Sequence, residues 1–308
     1  METIIPPVDR DLLIKELTKE KFVRDTNNGK NEIYILTHHD SPNVMREIGR
    51  LREITFRDAG GGTGKSIDID DYDIAEVAFK QLVVWNPRDK EIIGGYRFIH
   101  CKDLPLNDDG TIWTPTAKLF GYSEKFMKDY IPYTIELGRS FVQPFYQPTI
   151  NIRAGMYSLD NLWDGLGAVV IDHPDVKYLF GKVTMYPSFD RLARDLIIFF
   201  IEKYFPDKEE LVRPHNPIPL STGKKVLDNI FKGCNYEENY KILVQQVRTL
   251  NEGIPPLFNA YMNLSPTMKT FGTALNKSFG NVEETGIIVT VKDIYDYKKD
   301  RHISTYKK

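Results

Sequence analysis

Thr134–Val142 reads TIELGRSFV, and how this stretch is interpreted decides the fold. Ile135, Leu137, Phe141 and Val142 mark a buried strand, yet Glu136 and Arg139 interrupt it with charge. Ionised groups in apolar surroundings are costly unless they are paired or used. On a regular strand, side chains three apart face opposite ways, and a bulge would bring these two to one side. A strand bulged and interrupted in this manner splays from its neighbour. The opening is a cleft in which an extended ligand can hydrogen-bond to free backbone groups. The competing interpretation is a structural ion pair at a sheet edge.

A second unusual cluster lies upstream, IDIDDYDI at 67–74, with Asp68, Asp70, Asp71 and Asp73. A solvated acidic turn would account for it. However, Ile67, Ile69 and Ile74 alternate with the carboxylates, so half of the segment packs. Arg52, and Arg97 within the strand-like GYRFI, supply the opposite charge. Unlike charges gathered in apolar context form a network, and this one fits a site that handles an amine and an acyl group.

Working outward, residues 79–85 and 91–100 (EIIGGYRFIH) make a hairpin about the turn NPRDK. Further strands are expected at 133–142, 176–185 and, C-terminally, 286–294. Apolar residues at three- and four-residue spacing predict helices over 8–20, 43–54, 155–171, 188–204 and 255–264. The proline-rich RPHNPIPL at 213–220 breaks regularity, and 226–250 reads as a mostly polar helical excursion. Alternating strands and helices, together with a hairpin, predict a mixed α/β (α+β) sheet with helices on both faces. The expected organisation is one domain over 1–308, with a mainly helical segment at about 206–251.

With 41% hydrophobic and 12% aromatic residues among 308, the chain can build a substantial core and is not of disordered composition. A net charge of −2 supplies no global field toward nucleic acid. Cys101 and Cys234 offer no spacing for metal ligation or a disulfide framework, so a reduced, cytoplasmic protein is expected. The six histidines show no metal spacing, and no nucleophile elbow surrounds Ser140. The N-terminus lacks the pattern of a signal peptide. The longest apolar run, LIIFFI at 196–201, is too short to span a bilayer, which leaves only peripheral membrane contact. The basic tail from Lys298 would suit an acidic partner or anionic lipid. AGGGTGKS at 59–66 approaches a phosphate-binding loop, but helical character precedes it and aspartates follow. A mobile, substrate-covering loop is the better expectation.

The order Arg52-x-x-x-Phe56, Asp68-x-Asp70-x-x-Asp73, Gly95–Arg97 and Glu136-Leu-Gly-Arg139 resembles the acyl-homoserine-lactone synthase branch of the GNAT-like acyltransferases. The chain is more similar to the ornithine-acyl-[acyl carrier protein] N-acyltransferase family, whose members are also labelled hemolysins. That likeness rests on ELGRSFVQPFY (136–146), LWDGL (162–166), YLFG (178–181), PPLFNAY (255–261) and Phe279-Gly280. It covers about 52–293.

The resemblance implies a GNAT-like acyl-CoA N-acyltransferase fold with a V-shaped splay between two parallel strands. It implies transfer of a fatty, 3-hydroxylated acyl chain from acyl carrier protein (or acyl-CoA) to the α-amine of an amino acid, ornithine or glycine, as the first step of aminolipid synthesis. The acyl thioester is then a co-substrate, with no metal and no permanently bound cofactor. Glu136 would be the base or amine-positioning group, with Asp70 and Asp73 binding the ammonium or bracing the arginines. Arg52, Phe56, Asp68, Arg97, Arg139 and Ser140 would bind substrate, while Phe141, Val142, Trp163 and Phe180 would line the acyl and pantetheine path. Acetyl-CoA enzymes of this superfamily grip pyrophosphate with a glycine-rich loop, whereas QPFYQPTINIRAG (143–155) has one glycine, which favours a carrier-protein donor. Arg153, Lys177 and Lys182 are the expected carrier contacts. The implied location is the cytoplasm, with the inner membrane surface as its extension. Competing readings are a homoserine-lactone-type signal synthase using S-adenosylmethionine, a membrane-active hemolysin, and a non-catalytic acyl-binding module.

Overall fold

In the computed structural model, which describes residues 1–307, ten strands occur in chain order. They are β1 (Phe22–Asp25), β2 (Glu32–Leu36), β3 (Lys80–Asn86), β4 (Glu91–His100), β5 (Phe120–Tyr122), β6 (Thr134–Val142), β7 (Tyr178–Met185), β8 (Val212–Pro214), β9 (Lys269–Asn276) and β10 (Val282–Thr290). Eight of them form one sheet in the order β1-β2-β3-β4-β6-β7-β10-β9, while β5 and β8 pair separately. Every adjacent pair in the large sheet is antiparallel except β6 and β7, which run parallel. The helices are α1 (Arg10–Glu16), α2 (Pro42–Asp58), α3 (Asp71–Ile74), α4 (Ile152–Gly155), α5 (Ser158–Asp172), α6 (Arg191–Tyr204), α7 (Lys224–Ile230), α8 (Tyr236–Thr249), α9 (Pro256–Met262) and α10 (Asp296–His302).

The two-residue alternation of β3 distributes its side chains to two cores. Val83 and Trp85 join Val44, Ile48 and Leu51 of α2 on one face. Leu82 and Val84 join Leu162, Leu166 and Val169 of α5 on the other. Beyond β7, the apolar run 196–201 of α6 packs on Val183, Ile287 and Val289, covered in turn by Leu243 and Val247 of α8 and Phe258 of α9. No described helix is long and apolar enough to cross a membrane.

Several boundaries differ from the sequence-based expectation. The strands β1, β2, β5, β8 and β9 lie outside the expected set. β1 and β2 span only four and five residues, too few to show a readable alternation, and Gly272 breaks β9 with a positive φ of 78°. The expected helix over 226–250 is two helices, because Asn235 caps a fresh start by accepting from Glu238 N. The helix expected over 155–171 is α5, which starts three residues later at Ser158, and a separate short turn of helix, α4, capped by Asn151, precedes it. The last strand starts at Val282 rather than 286 and gives way to a 3-10 turn at Val291–Asp293.

Two features of β6 shape the centre of the molecule. Gly95 pairs with Phe141 and Arg97 with Gly138, so Tyr96 alone stands opposite Arg139 and Ser140. This is a bulge, and Arg139 adopts the left-handed region at φ 49°. On the other side, the ladder to β7 runs only from Thr134–Tyr178 to Leu137–Gly181. Both strands continue past it without pairing to each other, and the sheet splits there.

Candidate active site

The split opens a cleft of about 560 Å³. Glu136, Ser140 and Phe141 line it from β6, Lys182 and Thr184 from β7, and Glu284 from β10. Thr55 and Phe56 of α2, Leu159 of α5, and Pro255 to Leu257 complete its walls.

Glu136 is 2% exposed. Its Oε1 accepts from Thr116 Oγ1 at 2.7 Å and from Thr116 N at 3.3 Å. Its Oε2 is buried without a hydrogen-bond partner among the described residues. Burial pushes the Glu136 carboxyl above its ordinary range, partly opposed by Lys182 and the Thr116 hydroxyl. Lys182 Nζ donates to Thr116 Oγ1 at 3.1 Å and lies 3.8 Å from Glu284 Oε2, which also accepts from Asn276 Nδ2. A polar chain therefore crosses the floor of the cleft. It runs from a carboxylate on β6, through a loop threonine and a β7 lysine, to a carboxylate on β10.

The aspartate cluster sits to one side and is occupied with arginines. Asp70 opens α3 through a capping box with Asp73. Asp73 is fully buried between Arg52 and Arg97, each at 3.2 Å, and accepts from Gln81 Nε2 at 3.0 Å. Burial alone would raise the Asp73 carboxyl, but Arg52 and Arg97 overturn that and hold it well below the usual carboxylate range. Arg97 Nη1 also donates to Asp70 Oδ1 at 2.7 Å. Arg139 is anchored by Asp68, with its Nε 2.9 Å from Oδ2, and its guanidinium lies 4.1 Å from the centre of the Phe279 ring. This grip fixes the bulge.

The cleft thus brings together Glu136, Asp70, Phe56, Arg97, Arg139, Ser140, Phe141 and Val142 of the residues expected to form the site. It does not include the others. Asp73, Arg52 and Asp68 are each fully buried behind it as partners of the arginine network, so Asp73 is a brace and not a group open to substrate. Trp163 and Phe180 do not line the cleft: the partly buried Trp163 packs edge-on against Tyr261, and the buried Phe180 against Tyr122, Phe126 and Phe271. Arg153 and Lys177 are exposed outside the cleft, with Lys177 over the Tyr133 ring, whereas Lys182 lies inside it. Glu136 and Arg139 make no ion pair with each other, since each has its own partners.

Sequence reasoning missed Thr116 and Glu284. Thr116 sits in an irregular stretch, TIWTPTAK (111–118), with no periodicity to flag it. Glu284 carried the same signal as Glu136, a charge within an apolar strand, and was findable on that ground. The glycine-rich loop also differs from expectation. Its amides do face a carboxylate, but that of Glu53: Thr63 N donates to Oε2 at 3.0 Å and Gly64 N to Oε1 at 2.8 Å. Glu2 ties the loop again by donating its N–H to Gly64 O and accepting from Ser66 N. A loop held at both ends by such bonds is a structural element, not a mobile cover, and its anion site is filled from within.

A large mixed sheet split between two parallel strands, with a buried carboxylate at the split, defines an acyltransferase of the GNAT type. In agreement, an acetyltransferase (GNAT) domain model matches residues 51–154. The glycine N(alpha)-acyltransferase of Phocaeicola vulgatus is 53% identical over 308 residues, covering all of this chain and 94% of that one. Its namesake from Bacteroides thetaiotaomicron is 54% identical over 306 residues, covering 99% and 91%. This chain belongs to the glycine N(alpha)-acyltransferase family and is an N-acyltransferase. Among solved structures, a CoA-dependent acyl-homoserine lactone synthase with SAM and isopentyl-CoA aligns over 88% of this chain and 89% of its own, at 10% identity and a TM-score of 0.39. The synthase LasI aligns over 91% and 98%, at 11% identity and a TM-score of 0.38.

Proposed function

We propose that this enzyme joins a fatty acyl group, delivered as a thioester on acyl carrier protein, to the α-amine of glycine, the first step of aminolipid synthesis. The observation that carries the reading is Glu136. It is a cleft-lining carboxylate at the split, with one oxygen satisfied by Thr116 and the other unpartnered. An amine attacks a thioester only when neutral, so the acceptor must first lose a proton. Glu136 Oε2, directly or through one water, takes it. The amine nitrogen then bonds to the thioester carbonyl carbon, the carbon–sulfur bond breaks, and the second amine proton passes to the departing sulfur, which leaves as the thiol of the carrier arm. Backbone amides on the open edge of β6 stabilise the oxyanion that develops in between. The arginine and aspartate network holds the bulge in register for this step.

Glycine as acceptor is supported by the two relatives named for acting on it, at 53% and 54% identity. A carrier-protein donor is supported by the segment after β6. The amides of Tyr146, Gln147, Ile150, Asn151, Ala154 and Gly155 already donate within that segment, and Pro144 and Pro148 have none. Such a segment suits the single phosphodiester of a carrier arm better than a pyrophosphate.

The test is incubation with carrier-bound and CoA-bound acyl donors against glycine, ornithine and other amino acids, with products read by mass spectrometry. N-acylglycine from the carrier thioester is expected. Its absence with every donor would overturn the reading. Glu136→Gln should lower kcat by about 10²- to 10⁴-fold with circular dichroism unchanged. In the wild type, kcat/KM should fall in acid with a limb above the roughly 4.3 of an ordinary glutamate, because the raised carboxyl protonates early.

A further inference from the structure

The polar chain across the cleft contains a directional constraint. Lys182 can only donate a hydrogen bond, since an ammonium has no lone pair to offer. The Thr116 hydroxyl has one proton. Because its oxygen accepts from Lys182 Nζ at 3.1 Å, that proton is committed to Glu136 Oε1 at 2.7 Å. A carboxylate that receives two donors from Thr116, the hydroxyl and the backbone N–H, is favoured over a carboxylic acid that would need to donate one.

We propose that Lys182 is a positioning residue that acts through Thr116: it orients the threonine hydroxyl so that Glu136 stays ionised with Oε2 free for the incoming amine. The proposal rests on the reading of Glu136 as the base. Lys182 is well placed for this and poorly placed to hold a carrier protein, since its side chain is 12% exposed within the cleft. The titratable groups facing Glu136 are Lys182 from β7, Tyr72 from α3, Tyr122 from β5 and Cys101 following β4, and Lys182 is the cation among them. Glu284 stands beyond Lys182, where it steadies the ammonium from the far side. Removing Lys182 would free the threonine to accept from a protonated Glu136, and the acid form would gain.

The experiment compares Lys182→Met, Lys182→Arg, Thr116→Val and the Lys182→Met/Thr116→Val double variant. Two readouts are used: the pH profile of kcat/KM, and titration of carbon-13-labelled glutamate carboxyls, with Glu136→Gln assigning the signal. Lys182→Met should move the Glu136 titration and the acid limb upward by about one pH unit or more. Thr116→Val should produce a similar shift, the double variant no larger one, and Lys182→Arg should restore most of the wild-type profile. An inactive or poorly folded Lys182→Met leaves Lys182→Arg and Thr116→Val, whose carboxyl titration needs no turnover. An unmoved carboxyl titration would overturn the proposal. So would a raised glycine KM at an unmoved limb, which would make Lys182 the partner of the acceptor's carboxylate. If Glu136→Gln kept its rate while the carboxyl titration shifted as expected, the base reading would fail and the relay would stand.

Discussion

Arg52, Asp73 and Arg97 show how the same charges differ in role with their surroundings. Asp73 is fully buried and sits between two guanidiniums. Deleting it leaves two buried cations facing each other, so Asp73→Ala should cost about 3–5 kcal/mol of unfolding free energy in urea at pH 7. The folded carboxyl titrates below the unfolded one, so its contribution is complete above about pH 4 and fades as the pH falls toward the folded value. The gap between wild type and variant should therefore narrow in urea titrations at pH 3. An equal gap at both pH values would show that Asp73 acts through packing and not charge. Glu136 has the opposite sign, its carboxyl being raised by burial, which is the usual condition of a group held ready to take a proton.

Among the elements, the junction of β6 and β7 matters most. Their ladder ends at Leu137–Gly181, and a Cβ on Gly181 would lie 2.8 Å from Leu137 O, closer than real contacts allow. The two strands approach this closely just before they part. Gly181→Ala should force them apart one step early, lowering stability by about 1–3 kcal/mol and reducing kcat as Glu136 and Lys182 separate. Normal kcat with reduced stability would show that the cleft tolerates a wider fork. On the opposite edge of β6, the bulge at Arg139 was legible from the sequence, because two charges three apart in an apolar strand share a face only if the strand is bulged. The grip of Asp68 on Arg139 that holds it spans 71 residues and follows from no local pattern.

Across the whole molecule, the segment 206–251 is integrated and not appended. Leu227, Phe231, Leu243 and Val247 from it are buried against α6, which in turn packs on β7 and β10. Leu243→Ala should cost about 2–5 kcal/mol. If the chain folds as one domain, activity and the fluorescence of Trp85, Trp113 and Trp163, all outside that segment, should be lost in a single transition. Separate transitions would mark 206–251 as an independent unit. The amino-acid sequence alone determined that a mixed sheet would carry helices on both faces, since alternation and helical spacing are local properties of a few neighbouring residues. It also determined that Glu136 and the aspartate cluster would be unusual, since a charge in apolar context is visible without coordinates. Only the tertiary structure decided which charges face the cleft and which are spent on one another. Asp73 and Asp70 lie three positions apart and share Arg97, yet Asp73 is fully buried against Arg52 while Asp70 lines the cleft, and Glu136 owes its orientation to a threonine from an irregular loop and a lysine from another strand. Those pairings are set by strand register and chain crossing over long separations, where a single residue's shift would exchange buried for exposed.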